Sequence, residues 1–202
     1  MAKPIPLNPE AVSRISQEIA DSLPLGDAYD YISGKEGYKA EPYKDSAGKW
    51  TIGVGTLIGD GSDKALKNSD YYGKSIDEDT AKSIAQDDIY AKAALASEPH
   101  QLGNVIQDFS PELQAGVISG YYRGDLSGSP ETKRLLNAKD YEAAANEFLD
   151  SDEYRKALNP ENKMGGVATR MEALADLIRT EPDRQQPTFM QAVENGIANT
   201  SD

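Results

Sequence analysis

Glu36, Asp45 and Thr51 are the residues whose types and spacing could do chemistry. The chain has no cysteine and one histidine, His100, which excludes thiol nucleophiles, disulfides and multi-histidine metal centres. What remains is the chemistry of carboxylates, hydroxyls and amides. Two carboxyl groups suffice to hydrolyse a glycosidic bond when one stays protonated to donate to the leaving oxygen. The other, ionised, activates water or attacks. The segment Gly34–Gly55 offers such a pair. Glu36 falls at the expected C-terminal end of a short helix, Asp45 where a hairpin turn begins, and Thr51 on the returning strand. A helix end facing a hairpin can hold two carboxyl groups on opposite sides of a cleft. Taken singly, the three read as a solvated helix end, a turn former and an ordinary strand residue. Their conjunction carries the argument.

The elements that must position them follow from local patterns. Val12, Ile15, Ile19 and Leu23 recur at helical spacing within residues 11–23, and Pro24 ends that weak helix. A second helix is expected over 27–35, closed by Gly34 and Gly37. Between Pro42 and Leu57 the alternation Trp50, Ile52, Val54 follows the turn Asp45–Gly48 and predicts a β-hairpin. Gly53 and Gly55 weaken a strand and imply the close approach of a ligand or another backbone. Residues 59–75 read as a long polar loop. Asp77, three residues before Thr80 and followed by Glu78 and Asp79, predicts a capped helix over 77–97 that Pro99 stops. Further helices are expected at 111–122, 130–137, 139–150 and 166–179. A loose tail from 181 holds one short helix at 188–197.

With 202 residues, 38% of them hydrophobic, the chain can bury a core. Thirty-four acids against 21 bases leave a net charge of −13, which argues against nucleic-acid binding and against adsorption to anionic membranes. No run is long and apolar enough to span a bilayer, and residues 1–23 lack a secretory signal's continuous apolar stretch. The expectation is synthesis in the cytosol without an export address. The fold class is α+β, a small hairpin region followed by a mostly helical remainder.

Glu36-Gly37, eight residues, Asp45, five residues and Thr51-Ile-Gly-x-Gly55 resembles the signature of phage-type lysozymes, glycoside hydrolase family 24. The likeness continues through 76–91, 114–124, 135–148 and 165–178, so it covers about residues 26–180. It implies a lysozyme-like fold in which a small β lobe (37–75) and a larger helical lobe (98–180) are joined by the helix at 77–97. Residues 1–25 and 181–202 then stand as an N-terminal extension and a C-terminal tail.

Position by position, the resemblance implies that Glu36 is the general acid, Asp45 the ionised carboxylate and Thr51 the hydroxyl that holds the attacking water. It associates the chain with inversion, which suits a carboxylate gap of ~6.5–9.5 Å. Tyr122 falls at a substrate-contacting position of the resemblance; Trp50 and Arg170 are further substrate-binding candidates, with Arg170, the main survivor of a thinner Arg-rich closing helix, reading first as a structural ion-pair partner. Tyr38 and Tyr43 could join Trp50 as a sugar platform or pack in the core, and Tyr121 and Tyr122 divide between core and cleft. His100 reads as an exposed bystander. Thr56 stands where the best-known member has histidine, and Tyr122 where an amide side chain is common.

The function implied is an N-acetylmuramidase that cleaves the β-1,4 bond between N-acetylmuramic acid and N-acetylglucosamine, without metal or cofactor. The alternative is a catalytically weak or inactive, glycan-binding structural component of a phage particle. The substrate implied is bacterial peptidoglycan, reached from the host cytoplasm through a holin that acts indirectly, or carried among other virion proteins. Neither nucleic acid nor membrane insertion enters.

Overall fold

The computed structural model describes residues 9–45, 48–162 and 164–185. The helix expected at 188–197 lies outside them. Helix α1 spans Pro9–Ser22 and α2 spans Leu25–Glu36, separated at Pro24. Ile19, Ala20 and Leu23 are buried in the same core as Ala28 and Ile32 of α2. The side chains of Val12 and Ile15 lie outside the described set. Burying side chains the size of Ile19 and Leu23 is worth roughly 1.5–3 kcal/mol each, so α1 is fastened rather than appended. Ser16 and Ser22 add bonds to the Ser97 carbonyl (3.4 Å) and from the Gln107 amide (2.8 Å).

Gly37, at φ 71°, turns the chain out of α2 into β1 (Lys39–Lys44). Strands β2 (Trp50–Gly53) and β3 (Thr56–Gly59) complete an antiparallel sheet in the order β1-β2-β3. The sequence reading ran one strand through to Leu57. Val54 and Gly55 instead form a second turn, and β3 pairs back with Ile52 opposite Thr56. Gly55 takes φ 101°, and Gly53 takes φ 66°, where an added Cβ would meet the Ala81 Cβ at 3.1 Å. The expected close approach is therefore protein backbone against helix. Within the polar stretch 59–75, α3 (Asp63–Asn68) forms because Ser62 caps it by accepting from the Ala65 amide.

Helix α4 (Glu78–Ala96) begins as expected, with Asp77 accepting the Thr80 amide at 2.8 Å. Its buried face is Ala81, Ala85, Ile89, Ala93 and Ala96; alanines here let the sheet, α1, α2 and α5 approach closely. A 3₁₀ segment, Gly103–Asp108, leads to α5 (Pro111–Arg123), whose residues 113–121 are all buried. Helix α9 (Gly165–Arg179) packs on α5; α7 (Tyr141–Leu149) and α8 (Asp152–Ala157) pack on α9, and α6 (Pro130–Asn137) on α7, with α8 unforeseen. The fold is α+β: a three-stranded antiparallel sheet beside a large helical bundle.

The segment expected as a loose tail starts with order. In α10 (Glu181–Gln185), the buried Glu181 carboxylate accepts from the Ser110 amide and hydroxyl, both at 2.6 Å, at the start of α5. A carboxylate at a helix N-terminus satisfies an orphan amide and meets the positive end of the helix dipole. Arg184 bonds the same carboxylate at 3.2 Å and reaches the Leu177 carbonyl.

Candidate active site

A groove of about 720 Å³ runs between the β1–β2 hairpin and the loops and helices of the bundle. Asp45, Thr51, Tyr122 and Arg170 all line it. Four of the six residues expected at the site are thus brought together, contributed by the hairpin, α5 and α9.

Each is held by identifiable bonds. The Asp45 amide donates to the Lys49 carbonyl (2.9 Å), and Asp45 Oδ1 accepts the Lys49 amide (2.8 Å). This closes the hairpin turn and leaves Asp45 half-buried at the groove. Thr51 pairs with Tyr43 in the β1–β2 ladder, and its hydroxyl, 3% exposed as a residue, donates to the Tyr43 carbonyl at 3.3 Å. Tyr122 shares a hydrogen bond of 3.2 Å with the Thr56 hydroxyl.

Glu36 is the last residue of α2, and its side chain lies outside the described set. Its backbone is fixed relative to the groove by connectivity. Lys39, three residues on, is a groove residue, and three residues reach at most ~11 Å.

Trp50 is not among the groove residues; its indole N–H donates to the Ser62 carbonyl at 3.1 Å, which holds the hairpin against the loop before α3. Of the tyrosines, Tyr43 lines the groove, Tyr38 donates to the Ile76 carbonyl, and Tyr121 is buried, bonded to Gln101 at 2.9 Å. Burial pushes the Tyr121 phenol up, out of reach of proton chemistry. Tyr121 belongs to the core and Tyr122 to the groove. His100 is exposed beside Glu98.

Sequence reasoning missed the ionic side of this groove. Arg123 and Asp125 pair at 3.4 Å with little solvent exposure. Glu153, from α8, also faces in; burial first and then the Asp125 charge raise its pKa, against the pull of Arg170 and Lys156. Lys39, Lys44 and Lys49 line the hairpin wall. Their spacing of five in an acidic chain was a visible signal. Glu153 gave none, because α8 itself was not foreseen. Among the described residues no group of three or more His, Asp or Glu side chains could hold a metal ion.

A carboxylate and a hydroxyl on one wall, with stacking and ionic groups on the other, can hold a polar polymer and a water molecule. A search of curated proteins gives no match. The sequence model of the family described as phage lysozyme matches residues 33–173, more than two-thirds of the chain, from the C-terminal part of α2 into α9. The chain belongs to the phage lysozyme family, glycoside hydrolases that degrade peptidoglycan.

Proposed function

We propose that the chain is an N-acetylmuramidase cleaving the β-1,4 bond from N-acetylmuramic acid to N-acetylglucosamine. The observation that carries this reading is that Asp45 and Thr51 line one groove of about 720 Å³, while Glu36 ends the helix that leads into its wall. In the proposed reaction Glu36 gives its proton to the glycosidic oxygen as the bond lengthens. Asp45, ionised, stabilises the positive charge growing on the sugar ring or takes a proton from the incoming water. Thr51, whose proton goes to the Tyr43 carbonyl, orients that water by accepting from it. Tyr122 and Arg170 contact the substrate from the helical side. The hydrogen bonds on Asp45 and Thr51 fix both groups before substrate arrives, which removes a reorganisation cost from the transition state.

No described helix is long and apolar enough to cross a membrane. We propose that the protein is made inside a bacterial host and acts on the wall beyond the inner membrane, during lysis or infection. Mass spectrometry of purified particles separates the two deployments.

The decisive experiment is product analysis on purified peptidoglycan with the wild type and Glu36→Gln. New reducing ends on N-acetylmuramic acid, lost in Glu36→Gln, support the reading. Reducing ends on N-acetylglucosamine, or wild-type rates from Glu36→Gln, refute it.

A further inference from the structure

Gly55 and Leu57 line the groove, and Thr56 between them does not. Alternation along a strand turns Thr56 to the opposite face, where it is 9% exposed. Its hydroxyl lies 3.2 Å from the phenol oxygen of Tyr122, which is a groove residue. A buried side chain that does not reach the groove can act on a substrate only through the residue it holds.

The two ends of this bond belong to different parts of the fold. On the sheet side Thr56 opposes Ile52, and the next rung of the ladder is Thr51 opposite Leu57. The bond is therefore anchored one rung from the hydroxyl of the hairpin wall. On the helical side Tyr122 follows Tyr121, which is buried and bonded to Gln101 at 2.9 Å, so α5 is fixed at that point. Strands β2 and β3 pack on α4, and α4 on α5; the Thr56–Tyr122 bond joins sheet to α5 directly. The ring is confined as well. Gly55 has φ 101°, and a Cβ there would lie 3.9 Å from Tyr122 Cε1, so the ring passes close over the β2–β3 turn. A tyrosine ring swings about two torsions, and a held hydroxyl beside a fixed backbone selects one orientation.

We infer that Thr56 is a positioning residue for substrate binding: by holding the Tyr122 hydroxyl it fixes the ring in the groove and sets its spacing from the Thr51 wall. This rests on the proposed function of the same groove, in which Tyr122 contacts the glycan. A glycan then meets a ring already in place, and its binding loses nothing to ordering that side chain. The contact is the same before and during bond cleavage, because Tyr122 takes no part in moving protons. Loss of the Thr56 hydroxyl therefore falls on KM and spares kcat.

The test measures KM and kcat on solubilised peptidoglycan for wild type, Thr56→Val, Thr56→Ser, Tyr122→Phe and the double variant Thr56→Val with Tyr122→Phe. Unfolding curves correct each value for the folded fraction. Thr56→Val keeps the shape and loses the hydroxyl. Its KM should rise roughly three- to tenfold, the size of one net hydrogen bond, with kcat nearly unchanged. Thr56→Ser should recover most of the loss. On a Tyr122→Phe background Thr56→Val should add nothing, because the hydroxyl it held is gone. An unchanged KM in Thr56→Val overturns the inference, as does a loss confined to kcat. So do failure of Thr56→Ser to recover binding and full additivity in the double variant. A parallel arm measures co-sedimentation with insoluble peptidoglycan. If wild type releases no reducing ends, the muramidase reading fails, and the affinities of the same variants for the insoluble polymer decide the role of Thr56.

Discussion

The hydroxyl oxygens of Thr56 and Tyr122 lie 3.2 Å apart, hydrogen-bonded across the junction of β3 and α5. Thr56 and Tyr122 are two of the positions where the sequence reading expected a departure from the resembled pattern, and they meet each other. The two hydroxyls satisfy one another in a place where Thr56 is almost wholly buried.

Thr56→Val and Tyr122→Phe should each destabilise the protein by about 1 kcal/mol, and the double variant by less than the sum. A double-mutant cycle from urea unfolding checks this. Strict additivity would mean that the bond contributes nothing to the sheet–bundle junction.

Asp45→Asn tests charge apart from shape. Asparagine keeps an oxygen to accept the Lys49 amide, so the turn survives. The expected outcome is a loss of activity of ~10²–10⁴, with the melting temperature nearly unchanged. Asp45→Ala should lose the turn bond as well and fall in both measurements.

Glu181→Ala should cost about 3 kcal/mol or more. It strips the acceptor from the Ser110 amide and hydroxyl, and removes a partner of Arg184, at a fully buried carboxylate. Denaturant unfolding reads the loss directly, and a change within 0.5 kcal/mol (the usual surface value, roughly) would refute the pin.

Gly61→Ala bears on the hairpin tip. Gly61 has φ 89°, and a Cβ there would lie 2.1 Å from the Gly48 carbonyl oxygen. Backbone must move on one side, and the side that moves includes the turn holding Asp45. Loss of activity together with ~1–3 kcal/mol of stability is expected; an unaffected hydrolysis rate would show that the tip need not be fixed.

Glu153 gives a pH signature. Burial and Asp125 raise its pKa in the fold, so the folded state binds a proton that the unfolded chain has already released. The stability this confers is complete below the ordinary glutamate pKa and is lost as pH rises through the folded value. Glu153→Gln should therefore gain melting temperature relative to wild type between pH 4 and pH 7. No change in that difference would refute the assignment.

Much of the fold was legible because its signals are local. Asp77 with Thr80, Pro111 and Pro130 at helix starts, and Gly124 at φ 89° after α5 each act within a turn of their own position. The misses have one physical character. Helices α3 and α8 are six residues each, started by Ser62 and Ser151 inside polar runs, and too short to show periodicity. Strand β3 was hidden because Gly55 reads as strand or turn alike. The bond from Glu181 to Ser110 spans 71 residues, a separation no window detects. At the site, Asp45 and Thr51 were found through spacing, while Trp50 was expected at the groove because its bond to Ser62 has no local trace.

Helix α1 lies wholly before the span that defines the family, yet its Ile19 and Ala20, with Leu23 just after it, complete the core that α2 and α4 share. Trimming a gene to the family borders would therefore carve a greasy trough along α4. Such a fragment would clump in the test tube, and its silence in an assay would say nothing about catalysis.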